Sequence, residues 1–439
     1  MSKPLQLGLI GLGTVGVGVF ETLCRNHDLL EARAQISYEI KRVAVRDLTR
    51  QRDVDVDAGM LTADWRDVVN DPDIDIVVEL IGGITEAFDI VKAALLAGKP
   101  VVTGNKALLA ERGAELFALS AQHDVPLYFE ASCGGGIPII QSLQNSLICN
   151  NVRSITGIIN GTSNYILSSM SKGRVSFKDA LAKAQELGFA EADPSFDVNG
   201  WDAAHKALIL AMLAYGTPVD SSKISVHGIE KVDAVDFTFA KKLGYTIKLL
   251  VVIKHHEDTD ALELRVQPSL VPQTHLLSSV KGVFNAIAVE GDIVGETIFY
   301  GRGAGKNPTA SAVIGDVVLA MRECRHRGSH AGFSPYSKCL QVQPVGDSVT
   351  PYYVRFRVKD CPGVIASLAS IFARYDMGIS ATNSIACPET ETCTGCCNDL
   401  VLMIHACKWS RLMSAIHEAS LLDSVAAEPL VLRIETFAH

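Results

Sequence analysis

The 439-residue chain is predicted to be an α/β protein in three parts: a doubly wound parallel sheet, an α+β region after it, and a small C-terminal βαββαβ unit. Three observations predict this. A glycine-rich turn joins the first apolar strand to the first helix. Short apolar runs then alternate with helical stretches, the order a parallel sheet needs. Near the C terminus the pattern changes to alternating, half-buried strands. The length exceeds one ordinary core, so two or three domains are expected.

The first strand is Leu5 to Ile10. Gly11-Leu12-Gly13-Thr14-Val15-Gly16 follows, then the helical run Val17 to Cys24. The glycines permit a tight turn, close approach of backbone to a pyrophosphate, and close helix packing. The pyrophosphate would sit at the positive helix N terminus. Val43-Ala44-Val45, Ile76 to Leu80, Pro100 to Thr103 and Pro126 to Phe129 supply the further strands. This is a Rossmann-type, dinucleotide-binding arrangement.

The end of the second strand reads Arg46-Asp47, with Arg50 and Arg52 nearby. Arginine suits a 2′-phosphate through forked, charge-assisted bonds. The expected cofactor is therefore NADP, with NAD also possible because Asp47 is available for ribose hydroxyls. Thr103-Gly104-Asn105-Lys106 lies where the fourth main strand meets its helix, at the carboxyl edge of the sheet. Lys106 there is a candidate for holding substrate or cofactor.

After the last strand comes Glu130-Ala131-Ser132-Cys133-Gly134-Gly135-Gly136-Ile137-Pro138. One carboxylate beside exposed carbonyls suits a hard monovalent cation, and it equally suits a plain turn into a helix. Gly157 to Leu167 is a strand that turns into a helix through a polar cluster at Asn160 and Asn164. The segment Ala184 to Lys206 then places Glu191, Asp197, Asp202 and Lys206 around a loop broken by Asp193-Pro194 and Asn199-Gly200. It runs into an apolar helix from Ala203 to Ala214. Asp202 and Lys206 are four apart and share a helix face. Read by themselves they are either a solvated ion pair or a proton-transfer group held among carboxylates.

The order of these motifs resembles the homoserine dehydrogenase family. The matching elements are Gly11 to Gly16, Gly104 to Lys106, Glu130 to Pro138, Asn160 to Tyr165, Ala184 to Lys206, and Gly301-Arg302-Gly303-Ala304-Gly305 with Pro308 to Ala312. The resemblance spans about residues 5 to 325, and Ala184 to Lys206 is its most specific segment. It implies reversible, NAD(P)H-dependent reduction of L-aspartate 4-semialdehyde to L-homoserine. By the same resemblance Lys206 is the general acid, and Glu191 and Asp202 hold the substrate's amino group. Asp197 is a further acid of the substrate pocket, and Lys106 stands at the cofactor–substrate junction. Gly303 lies near the nicotinamide. Glu130 and the carbonyls of Cys133, Gly135 and Ile137 form a sodium-type site. Cys133 departs from the family, where a β-branched residue is common; a reachable thiol there would make the loop oxidation-sensitive.

Residues 326 to 347, with two histidines, Arg327 and two prolines, read as a linker. The strand Tyr352 to Val358, a helix from Ala366 to Tyr375, strands at Ile379 to Ala386 and Leu400 to Ala406, a helix Trp409 to Ala419 and a strand Leu430 to Glu435 complete βαββαβ. Tyr353 to Val364, including Asp360-Cys361-Pro362-Gly363, resembles an ACT domain. That resemblance implies amino-acid sensing, with threonine as the expected inhibitor; a domain used only for oligomerisation is the other reading. The expected division is a nucleotide-binding domain over 1–135 completed by roughly 305–325, a substrate and dimerisation domain over 136–304, the linker, and the regulatory domain over 348–439. The family and the ACT module imply a homodimer or homotetramer.

The cluster Cys387, Cys393, Cys396 and Cys397, with His405 and Cys407, allows three readings: surface thiols, reversible disulfide control or a metal site. Eleven cysteines and no visible secretory segment read as cytosolic thiols, so a cytoplasmic location is expected. A net charge of −9 with interspersed signs argues against nucleic-acid or membrane partners. A catalytically silent nucleotide-binding sensor would be expected to lack Lys206 or Asp202, and both are present.

Overall fold

The computed structural model describes residues 3–173, 175–216, 218–326, 333, 340–386 and 397–437. They divide into two compact units. One comprises residues 1–153, 205–222 and 284–340; the other comprises 154–204, 223–283 and 341–439.

The first unit is built on six parallel strands: β1 (Leu5–Ile10), β2 (Tyr38–Ala44), β3 (Leu61–Thr62), β4 (Ile76–Glu79), β5 (Val101–Thr103) and β6 (Leu127–Tyr128). Their order is β3-β2-β1-β4-β5-β6. β1, β4 and β5 are buried along their whole length, as strands covered on both faces must be. Helices α1 (Thr14–Arg25), α2 (His27–Ala34), α3 (Arg66–Val69), α4 (Thr85–Leu96) and α5 (Lys106–His123) connect them. The order reverses between β1 and β4, which opens the crevice where such sheets bind ligands. Later in the chain a hairpin, Phe284–Gly291 with Gly295–Arg302, leads into the helix Lys306–His326. That helix lies against α1, where a Cβ on Gly18 would come within 2.8 Å of the Lys306 side chain.

Two sequence expectations shift here. The second strand begins at Tyr38, five residues before the Val43 triplet, because Leu5 to Leu7 pair with Tyr38 to Ile40. β3 is only two residues long, too short to leave a periodic signal.

The second unit carries a mixed sheet. Tyr245–His256 and Ala261–Pro272 form a long antiparallel hairpin. Leu430–Ile434 joins it in parallel at Ser269 and Leu270, and Val349–Lys359, Cys397–Lys408 and Ile379–Ala386 extend it antiparallel. The last four strands and the helices Val364–Arg374 and Trp409–Ser420 appear in the order βαββαβ. Both helices turn apolar faces to a core that includes Tyr352, Phe356, Leu368, Phe372, Leu402 and Leu412. Cys387, Cys393 and Cys396 lie outside the described residues. Cys397 and Cys407 are buried, and burial pushes the Cys407 thiol up.

Buried ion pairs tie residues 349–437 to the rest of this unit. Asp236 accepts from Tyr353 Oη at 2.7 Å and from Arg355 Nε at 2.7 Å. Glu435 meets Arg265 through Nη1 at 2.6 Å and Nη2 at 3.0 Å, with Lys254 at 3.4 Å. Arg265 and Glu435 are each 1 % exposed. Burial pushes Glu435 up, yet the charges of Arg265 and Lys254 hold its carboxyl at about 2. A carboxyl depressed below its ordinary 4.5 stabilises the fold above that pH and loses this as pH falls towards 2. Glu435→Gln is therefore expected to lower unfolding free energy by about 3–5 kcal/mol at neutral pH and to flatten the acid limb of a stability–pH curve. Denaturant unfolding at pH 7 and pH 3 checks both.

No helix among the described residues is long and apolar enough to cross a membrane.

Candidate functional site

In the first unit, Gly11 follows β1 at φ +103°, and a Cβ there would lie 2.7 Å from the Leu80 carbonyl carbon. Only glycine fits this turn. Gly16 is equally confined, with a Cβ 2.2 Å from the Gly11 oxygen, whereas a Cβ on Gly13 would meet nothing within 4 Å. The close contacts seat α1 on the turn, and the open side at Gly13 admits a ligand to the backbone. Thr14 and Val15 form the first turn of α1, where backbone amides lack an intrahelical acceptor and suit an anion. These features fit a dinucleotide pyrophosphate.

Beyond β2, Arg46 is exposed and reaches Glu86 at 3.3 Å. Asp47 is held by Thr49, whose amide and hydroxyl donate to Oδ1 at 2.8 and 2.6 Å; these bonds keep its carboxyl below the usual range. Across the crevice, Glu79 ends β4 and accepts from Thr103 Oγ1 at 2.6 Å and the Ile81 amide at 2.8 Å. Burial raises Glu79 above the usual carboxylate range. Asn105 caps α5 by accepting from the Leu108 amide at 3.1 Å, and its Nδ2 donates to the Gly83 carbonyl at 2.6 Å. Lys106, half-buried, opens α5 from this fixed cap.

The Glu130 loop is more tightly built than a plain turn. Glu130 is 4 % exposed, and its carboxylate accepts from the Ile140 and Gln141 amides at 3.0 and 2.8 Å. Its own amide donates to Asp316 at 2.7 Å, and Gln141 Nε2 donates to the other Asp316 oxygen at 3.1 Å. Burial raises Glu130 to about 7 despite those amides. Burial, with Glu130 as a like-charged neighbour, raises Asp316 to about 7. The Cys133 thiol is 1 % exposed and donates to the Lys206 carbonyl at 3.7 Å. It is therefore shielded rather than reachable. Gly135 and Gly303 touch backbone to backbone; a Cβ on Gly135 would lie 2.5 Å from the Gly303 carbonyl carbon.

Gly303 also backs onto Asn285, whose Nδ2 would be 1.8 Å from a Gly303 Cβ. Asn285 is 1 % exposed, and neither its Nδ2 nor its Oδ1 has a hydrogen-bond partner among the described residues. Nothing in the apolar run around it marks this residue in the sequence.

In the second unit the acids converge on Asn160. Its Nδ2 donates to Asp197 Oδ1 at 2.7 Å and to Asp202 Oδ2 at 2.8 Å. Its Oδ1 accepts from the Ser163 amide at 2.8 Å, starting the helix Gly161–Gly173. Ser163 Oγ donates to the Asp197 carbonyl at 2.8 Å. One amide thus orients two carboxylates, an arrangement complementary to a cation such as a substrate ammonium. Asp202 is 4 % exposed and Asn160 5 %. Glu191 is exposed and its side chain makes no hydrogen bond to this cluster; its backbone carbonyl accepts from Gln185 at 3.1 Å. Asp202, of the second unit, and Lys206, of the first, are four positions apart on the one helix Trp201–Tyr215, and Lys206 is 7 % exposed. The solvated-pair reading of these two residues does not survive that burial. Among the described residues no group of three or more His, Cys, Asp and Glu side chains could hold a metal ion.

The family model for homoserine dehydrogenase matches residues 138–318, and that for the homoserine dehydrogenase NAD-binding domain matches residues 11–130. A homoserine dehydrogenase of Synechocystis is 41% identical over 98% of this chain and 99% of its own length. One from Helicobacter pylori is 42% identical over 99% of this chain and all of its own. The crystal structure of a homoserine dehydrogenase from Thiobacillus denitrificans superposes with a TM-score of 0.90 at 41% identity, covering 99% of this chain and 98% of that one. A hyperthermophilic archaeal homoserine dehydrogenase in complex with NADPH superposes with a TM-score of 0.60 at 26% identity, over 75% of this chain and all of that one.

Proposed function

Because the chain belongs to the homoserine dehydrogenase family and is an NAD(P)-dependent oxidoreductase, we propose that Lys206 is its general acid in the interconversion of L-aspartate 4-semialdehyde and L-homoserine. Asp197 and Asp202 hold the substrate ammonium through the orientation that Asn160 imposes, with Glu191 as a further acid on the solvent side. When bound, the nicotinamide cofactor supplies or accepts the hydride. Lys206 Nζ gives a proton to the carbonyl oxygen as the alcohol forms and takes one back in the reverse direction. The observation that carries this reading is the pair of carboxylates on one buried asparagine, one of them, Asp202, a helical turn from the buried Lys206. Homoserine-dependent reduction of NADP and of NAD, each followed by absorbance, tests it; no homoserine-dependent rate with either would overturn it.

For the cofactor we infer NADP, with NAD as the weaker substrate. Arg46 beyond β2 supports the preference, since a guanidinium can pair with a 2′-phosphate. Gly11, Gly13 and Gly16 with Thr14 and Val15 would hold the pyrophosphate, and Lys106 would stand where cofactor and substrate meet. The unpartnered Asn285 amide behind Gly303 suits the carboxamide of a nicotinamide.

A sodium-type cation beside Glu130 and the carbonyls of Cys133, Gly135 and Ile137 is the third inference. Two carboxyls buried side by side, Glu130 and Asp316, support it, because a cation would offset their like charge. Raised carboxyls stabilise the fold fully below their ordinary range and lose this as pH rises through 7. A cation replaces the protons. Sodium is therefore expected to raise Tm more at pH 8 than at pH 6, relative to tetramethylammonium at equal ionic strength. Glu130→Gln is expected to abolish the difference; equal Tm in both salts at pH 8 would remove the cation.

We further propose that residues 348–439 form an ACT regulatory domain following a 326–347 linker, with domains over 1–135 (completed by about 305–325) and 136–304 before it. The βαββαβ order supports this. Threonine is the expected inhibitor, within threonine, methionine and isoleucine biosynthesis in the cytoplasm, in a homodimer or homotetramer. Threonine titration of the intact enzyme is expected to lower its rate; no effect up to millimolar concentrations would leave oligomerisation as the domain's role.

A further inference from the structure

Lys248 lies in the middle of an apolar run on the strand Tyr245–His256 and is 2 % exposed. Its Nζ donates to Asn164 Oδ1 at 3.2 Å and to the Val280 carbonyl. Among the described residues it has no carboxylate partner. A buried ammonium without a counter-charge is costly. Burial and the like charge of Lys281 bring this amine down to about 8, so it still carries a proton through most of the neutral range.

Lys248 forms part of the wall of a cavity of about 230 Å³ in the second unit. Lys172, Lys241 and Lys281 line the same cavity, with Ser168 and Gln273, and no Asp or Glu does. None of the four lysines has a carboxylate partner among the described residues. Lys172 and Lys241 stand in the last turns of their helices, where the helix dipole favours a cation, so each has an independent reason to be there. Lys248 has none. A chain with net charge −9 that gathers four cations around one cavity, one of them buried, has built a receptor for anions. The cavity is below the roughly 300–1,000 Å³ of drug-sized sites, so its ligand is small and densely charged.

We propose that this cavity is a binding site for a small phosphate-bearing anion. Lys248 is its buried anchor, and Lys172, Lys241 and Lys281 its solvent-side clamp. The site is separate from the Asn160 carboxylates and is not used by the reaction proposed above. It touches the same element, because Asn164, which accepts from Lys248, lies in the first turn of the helix that Asn160 begins. Occupancy can thus pull on the helix that positions the substrate carboxylates.

Calorimetric titration of the full-length, cofactor-free enzyme with inorganic phosphate and with pyrophosphate tests this directly, without reference to turnover. Binding of at least one of them at millimolar or lower concentration is expected. Lys248→Met should weaken it at least tenfold, while its Tm without ligand should stay the same or rise, because an uncompensated buried charge is gone. Lys241→Ala/Lys281→Ala, which changes only exposed residues, should weaken it as well and guards against misfolding of the buried variant. Arg46→Ala should leave it unchanged, since phosphate held at the cofactor edge would respond there instead. Absence of binding to the wild type, unaltered affinity in both lysine variants, or loss of binding in Arg46→Ala alone would overturn the proposal. Titration with succinate separates phosphate recognition from general dianion binding: equal affinity for succinate would overturn the phosphate assignment.

Discussion

Lys206→Met is expected to lower turnover of homoserine by roughly 10²–10⁴-fold, the usual contribution of a positioned general acid or base. Methionine keeps most of the side-chain volume at a position only 7 % exposed, so the helix Trp201–Tyr215 should remain folded. The Cys133 thiol would still meet the residue 206 carbonyl, because that contact is with the backbone. NADPH binding and KM for homoserine should change little, since the pyrophosphate and ammonium contacts lie elsewhere. The loss should fall on kcat in both directions, as the same group moves the proton forward and back. Lys206→Arg is the sharper control. It keeps the positive charge, but a guanidinium does not give up its proton in proteins. If Lys206 only balanced Asp202 electrostatically, arginine would restore activity; if it transfers a proton, arginine would not.

The second large effect is expected at Asn160. Its amide donates one hydrogen bond to Asp197 and another to Asp202. Hydrogen bonds to charged groups contribute about 1.5–3 kcal/mol each. Asn160→Leu removes both and leaves two carboxylates without their shared donor. Asp197 is only half-buried and can turn to water, whereas Asp202 is 4 % exposed and cannot. The expected loss of stability is therefore nearer one such bond than two, with the lost cap on the Ser163 amide added, about 2–5 kcal/mol. KM for homoserine should rise at least tenfold, because the ammonium then meets carboxylates that are no longer fixed. Unfolding by denaturant and steady-state kinetics measure the two effects separately. A variant with unchanged KM would show that the pair does not hold the substrate.

Much of the first unit was legible in the chain. The run from Leu5 to Arg25 carries strand, turn and helix in unbroken local order, and Gly11, by its φ of +103°, and Gly16, by its contact with the Gly11 oxygen, have local reasons to be glycine. Local order is what sequence periodicity reports. The Asn160 hub was only half legible: the polar cluster was visible, but its partners lie 37 and 42 residues away. No spacing rule links an asparagine at a helix start to acids in two later helices. The Glu130–Asp316 pair, 186 residues apart, was invisible for the same reason. So was the parallel pairing of Leu430–Ile434 with Ala261–Pro272, which joins the last strand to a sheet formed far earlier in the chain. Lys248 was missed because a single lysine in an apolar strand reads as a solvent-facing residue; only the fold shows that both faces there are covered. Cys133 shows the reverse. Its loop was identified, but whether its thiol was reachable depended on a contact with Lys206 that chain order does not report.

We propose above that this chain reduces aspartate semialdehyde with Lys206 delivering the proton. Single turnover tests it most directly: NADPH is mixed with excess enzyme and saturating aspartate semialdehyde, and nicotinamide fluorescence is followed in the wild type and in Lys206→Met. The expected result is equal NADPH binding in both, with a single-turnover rate roughly 10²–10⁴-fold lower in the variant. Equal rates in the two proteins would contradict it.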